Sequence, residues 1–208
     1  MMINRTNRFL AWGLLGGLAA LLAGGGWGAQ RNRRAEERKL KELNESSERL
    51  NRLASGSAVS EEQLFLHERV QELIVRAREI EAGSYLFARL AEAMDDLLDA
   101  SEELRDARRD RRDDDDDDEQ EAQERTARDL EQTYFRVRQG NYFAEQSGDP
   151  QGKSYVRLAH RLYQQARAAY DGKRYGQARD LADAAREVIE GLENLAQAAV
   201  RIPDPPKL

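Results

Sequence analysis

Residues 60–104 read SEEQLFLHERVQELIVRAREIEAGSYLFARLAEAMDDLLDASEEL, and the spacing of their apolar residues decides the fold. Leu66, Val70, Leu73, Ala77 and Ile80 recur at steps of 4, 3, 4 and 3; Phe87, Leu90, Met94, Leu97, Ser101 and Leu104 recur at steps of 3, 4, 3, 4 and 3. Steps of 3 and 4 keep returning to one side of a 3.6-residue turn, so each set is a single apolar stripe along an amphipathic helix. Ser60 with Gln63 offers a capping box at the start of the first helix, and Gly83 is placed as its left-handed C-cap. The spacing predicts an antiparallel helical hairpin over residues 60–110.

The C-terminal part carries the same pattern. Tyr155, Leu158, Leu162, Ala166 and Ala169 line one helix, and Ala178, Leu181, Ala185, Val188, Leu192, Leu195 and Ala199 the next, with Gly172 between them. No proline occurs between Met1 and Asp149, and Ala, Leu, Glu, Arg and Gln dominate, the residues that lose least on entering a helix. Ala77-Arg78, Gly83, Tyr85 and Ala88-Arg89 reappear as Ala166-Arg167, Gly172, Tyr175 and Ala178-Arg179, and each hairpin follows a Ser-Gly break, Ser55-Gly56 or Ser147-Gly148. The expectation is an all-α protein of antiparallel helical hairpins, built as two copies of a three-helix unit over 30–110 and 120–201. An acidic linker at 111–119 joins the units, and a Pro-rich tail follows at 202–208.

Gly83-Ser84-Tyr85-Leu86-Phe87-Ala88 resembles the Gly-x-Tyr-x-x-Ala turn of tetratricopeptide repeats, and Tyr175 with Ala178, Ala182 and Ala185 resembles the second helix of that motif. The resemblance covers about 20 residues in each copy and implies a similar local hairpin packing.

Composition removes whole classes of chemistry. With no cysteine there is no disulfide framework, thiolate metal site or cysteine nucleophile, and two histidines, His67 and His160, do not make a histidine metal cluster. Each lies among charged residues without a second histidine at i+3 or i+4, which reads as a solvated surface position. Adjacent carboxylates such as Asp95-Asp96 and Glu102-Glu103 point about 100° apart on a helix and do not converge on a substrate. No catalytic constellation and no cofactor-binding motif is expected, and the chain reads as non-enzymatic.

The net charge of −6 conceals a division: −7 over residues 59–110 and −6 over 111–125, against +3 over 31–58 and +3 over 151–208. Overall acidity argues against nucleic acid as a partner, because such a partner demands a dense cationic face.

Arg5 and Arg8 precede an uncharged run from Phe9 to Ala29. A positive n-region before an apolar stretch is the pattern of an export signal or a membrane anchor, so residues 1–29 are assigned that role. The apolar heart, Phe9–Ala23, suits a signal core and is short for a span of roughly 20 residues. Against export stand Arg31, Arg33, Arg34, Arg38, Lys39 and Lys41 just after the run, which by the positive-inside rule favour a cytoplasm-facing single-pass anchor. In that second reading the chain recruits or oligomerises through Leu40, Leu43, Leu50 and Leu53. The use of 28 arginines against 5 lysines, with abundant Ala and Asp, has a bacterial character.

Two features remain as candidate sites. Asp113, Asp114, Asp115, Asp116, Asp117 and Asp118 form an uninterrupted acidic run without the alternating ligands and central glycine of a calcium loop. Their first reading is a solvated spacer, and a non-specific divalent-cation site is the second. Six of the seven tyrosines lie between Tyr134 and Tyr175. Their first reading is the hairpin core with hydroxyls at its rim; the pairs Tyr134-Phe135 and Tyr142-Phe143 cannot each bury both rings on one narrow stripe, so at least one ring per pair is expected at the periphery, and a partner-facing aromatic patch is the second reading. The functional expectation is an envelope-associated protein, periplasmic or anchored in the inner membrane, that binds another protein or a second copy of itself through helix faces. A small-ligand or cation carrier is the remaining alternative.

Overall fold

The computed structural model describes residues 28–55, 59–109 and 119–199. They form six helices: α1 (Gly28–Ala54), α2 (Glu61–Arg78), α3 (Tyr85–Asp106), α4 (Glu119–Ser147), α5 (Gly152–Asp171) and α6 (Tyr175–Ala199). There is no strand among the described residues, and the protein is all-α. Residues 1–27, most of the segment assigned to export or anchoring, Asp113–Asp118 and the Pro-rich residues 202–208 lie outside them. Two boundaries differ from expectation. α1 starts at Gly28, inside the range assigned to the signal, and Glu119, assigned to the linker, opens α4.

Helix ends follow local chemistry. The Ser60 hydroxyl accepts from the Gln63 backbone N–H, and the Gln63 side chain accepts from the Ser60 N–H, closing the capping box. Ser84 caps α3 by accepting from the Phe87 N–H. Gly83 is left-handed at φ +74°, yet it lies past the C-cap Glu79 and serves the entry to α3 instead of ending α2. The α2 end is closed by a group from elsewhere: Lys39 of α1 is buried and its ammonium donates to the Arg78 and Ile80 carbonyls at 3.0 and 2.5 Å. In the second hairpin Lys173, not Gly172, takes the left-handed conformation at φ 60°.

The core runs continuously through the molecule, and α6 is its centre. α6 packs on α3, α4 and α5, so its apolar residues cannot be confined to one stripe. Small residues, Ala178, Ala182, Ala184, Ala185 and Gly191, are buried between the larger Val188, Ile189, Leu192 and Leu195, which lets three helices approach it. α3 is likewise two-faced. Besides its expected stripe it buries Ala93, Leu98 and Ala100, since α2 and α1 cover one side and α6 the other. α1 rests on α2 and α3 through Leu43 and Leu53, and Arg49 ties it to α3 by donating to Glu102 at 2.7 Å and to Asp99. Of the four leucines assigned to oligomerisation, Leu43 and Leu53 are thus in the core, Leu50 packs against it, and Leu40 is exposed.

Candidate functional site: a tyrosine groove and an acidic seam

α4 and α5 lie side by side on α6, and the groove between their outer faces gathers three tyrosines. On α5, Tyr163, Arg167 and Tyr170 follow one another at i, i+4 and i+7, and on α4, Ala127, Leu130, Glu131 and Tyr134 occupy the same kind of face. These residues line an open groove of about 340 Å³. Tyr134 and Tyr163 meet across it with ring centroids 5.9 Å apart, and Tyr170 contacts Tyr175 at the start of α6 at 5.6 Å. Leu130 is buried beneath them. The Tyr163 phenol oxygen accepts from Arg167, which raises the guanidinium's affinity for its proton. Flat aromatic walls with hydroxyl rims, a basic Arg167 on α5 and an acidic Glu131 on α4 suit an apolar segment carrying charges of both signs.

The four ring residues singled out from sequence fall on α4 as their stereochemistry requires. Phe135 and Tyr142 are 57% and 62% exposed, and Tyr134 is 42% exposed at the groove wall. Phe143 is half-buried against the core beneath the Arg136 guanidinium, 5.4 Å from its ring centre. Tyr155 and Tyr175 are buried. Sequence reasoning did not single out Tyr163, Arg167 and Tyr170 as a face opposite Tyr134, although their 4- and 3-residue spacing carried that signal.

A second cluster lies between α3 and α6. The carboxylate oxygens of Asp96, Glu187 and Glu190 are within 4.8 Å of one another. Neighbouring carboxylates in sequence do diverge, as expected, but helix packing brings Asp96 against acids of a distant helix. Burial pushes Asp96 up to about 6 against the hydrogen bond donated by Asn194 at 2.8 Å, and pushes Glu187 up to about 7, with Glu190 adding repulsion. Further along the seam burial, with Asp180 and Asp183 beyond, raises Glu103 to about 7. Arg186 lies 2.9, 3.6 and 3.8 Å from Asp183, Glu187 and Glu190, and Arg136 of α4 reaches Glu190 at 3.9 Å and Glu193. Three carboxylates could supply part of a divalent-cation shell of 6–8 oxygens; the two guanidiniums already balance much of their charge. A larger groove, about 560 Å³ between α1 and α3, is lined by Lys39 and Arg49, whose charges hold α1 in place.

The histidines divide. His160 is exposed, as expected. His67 is not on the surface: it is buried at the α2–α3 seam with Nε2 2.8 Å from the Ser101 hydroxyl, and burial lowers its pKa. The expectation failed because the charged neighbours of His67 in sequence point away from the face that α3 covers.

Comparison with protein families, with curated proteins and with solved structures finds no match to this chain.

Proposed function

We propose that this is a non-enzymatic, envelope-associated helical protein that holds a segment of another protein in the groove between α4 and α5. The observation that carries the reading is the convergence of Tyr134, Tyr163 and Tyr170 on one open face, flanked on α4 by the exposed rings of Phe135 and Tyr142. Tyrosine offers contact area at low entropic cost together with a polar handle, which is why it is enriched where proteins meet. Envelope association rests on Arg5, Arg8 and the apolar run 9–29 in the sequence. No described helix is long and apolar enough to cross a membrane. Internal duplication of a three-helix unit belongs to the same reading, with α3 and α6 as equivalent central helices.

Site-specific photo-crosslinking tests this function. A photoreactive residue at Phe135 in the full chain, expressed in its host, is expected to yield a discrete protein adduct in the envelope fraction, and the same residue at the exposed Val75 of α2 is expected to yield none. No adduct at Phe135, or equal adducts at both positions, overturns the reading.

A further inference from the structure

Three of the four prolines in the chain stand together after α6, in Pro203-Asp204-Pro205-Pro206-Lys207. We infer that the tyrosine groove of one molecule binds residues 203–207 of a second copy, an inference that rests on the groove being a protein-binding site.

The chemistry fits in three respects. Proline-rich segments dock on aromatic grooves because the polyproline II conformation costs little entropy to adopt and presents flat rings to flat rings. That conformation has three residues per turn and rises about 3.1 Å per residue, so Pro203 and Pro206 share one face about 9 Å apart. Tyr163 and Tyr170 stand seven residues apart on α5, about 10 Å along its axis. Two proline rings therefore match two tyrosine platforms. Between the platforms on α5 lies Arg167, and between the two prolines lies Asp204, so the carboxylate of the segment meets the guanidinium of the groove.

Reach decides between the molecule's own segment and that of a second copy. The Tyr170–Tyr175 contact fixes the lower end of the groove at the start of α6, and the described part of α6 ends at Ala199, about 36 Å away along the axis. The upper end of the groove, at Tyr163, is therefore about 26 Å from Ala199 before any path around α5 is added. Fully extended chain covers at most about 3.6 Å per residue, so Pro203 reaches no further than about 14 Å and Pro206 about 25 Å. The two prolines cannot lie on the two platforms of their own molecule, and the segment binds in trans.

A labelled peptide of residues 200–208, VRIPDPPKL, titrated into the full chain and followed by fluorescence anisotropy tests the inference. Saturable binding is expected, weakened about tenfold or more by Pro203→Ala with Pro206→Ala in the peptide or by Tyr170→Ala in the protein. Arg167 is exposed and outside the core, so a charge exchange keeps the test independent of folding. Arg167→Asp is expected to weaken the natural peptide, and Asp204→Arg in the peptide to restore binding to that variant. Absence of peptide binding, or binding indifferent to both the prolines and the charge exchange, overturns the inference. A discrete adduct at Phe135 alongside such a failure leaves the groove a protein-binding site with a different occupant; loss of both removes the two readings together.

Discussion

His67 and Ser101 share a hydrogen bond of 2.8 Å in the seam between α2 and α3, and the other ring nitrogen of His67, Nδ1, is buried with no partner among the described residues. Among the described residues Ser101 is the only group that satisfies the imidazole, so Ser101→Ala leaves a buried polar ring without that bond. That variant is expected to lose about 1–3 kcal/mol in chemical denaturation. Adding His67→Leu is expected to recover part of the loss, because removing both partners removes the desolvation cost. A Ser101→Ala variant within about 0.5 kcal/mol of the parent would show that the bond contributes little.

The α5–α6 turn holds a residue ill suited to its backbone. Lys173 adopts φ 60°, where a Cβ costs roughly 1–2 kcal/mol, and its ammonium makes an exposed pair with Glu119. Lys173→Gly removes the steric cost and keeps the turn, in which the Arg174 N–H donates to the Ala169 carbonyl at 2.9 Å. A gain of about 0.5–1 kcal/mol is expected, read as a higher midpoint in denaturant. A loss would mean that the Glu119 pair outweighs the backbone strain.

Legibility in the sequence tracked how local each cause is. The Ser60–Gln63 cap, the stripe Leu66–Val70–Leu73–Ala77 and the Ser147-Gly148 break, with Gly148 at φ +61°, each involve residues a few positions apart and were readable. The second face of α3 was not, because Ala93 and Ala100 serve equally as exposed helix formers and as close-packing residues until α6 is known to lie on them. Lys39 counted as one of six cations beyond the apolar run, and its burial is explained by the carbonyls of Arg78 and Ile80 at and just past the end of α2. Half of the groove was legible through the steric conflict within Tyr134-Phe135. The half on α5, and the meeting of Asp96 with Glu187, depended on long-range packing that no local pattern records.

Close approach of α4 and α5 depends on Gly152. A Cβ there would stand 3.0 Å from the Ala144 carbonyl oxygen and 3.1 Å from its Cα, backbone atoms that cannot rotate aside. Gly152→Ala is expected to cost about 1–3 kcal/mol from overpacking, more than the roughly 1 kcal/mol that alanine gains over glycine within a helix. Thermal denaturation of the variant checks this, and an unchanged or raised midpoint would show that α5 can shift without loss.

The acidic seam gives stability an inverted pH dependence near neutrality. Glu187 and Glu103 are raised by burial from 4.5 to about 7, and Asp96 from 3.8 to about 6. Glu187 faces Glu190, Arg186, Asp96 and Asp99, and Glu103 faces Asp180, Asp183, Asp106 and Asp99, so repulsion adds to burial. In the folded state these groups bind protons that the unfolded chain has already released. Between about pH 8 and pH 6, therefore, stability rises as pH falls. The expected gain is on the order of 1 kcal/mol per group after solvent screening. His67 acts in the opposite sense: its pKa is lowered, so below its ordinary value of 6.5 the unfolded chain takes up the proton first and the fold loses stability. Melting curves are expected to peak on the acid side of neutrality. Glu187→Gln with Glu103→Gln should raise the melting temperature at pH 8 and flatten the rise toward pH 6. A parent chain whose melting temperature falls steadily from pH 8 to pH 6 would refute the seam's role.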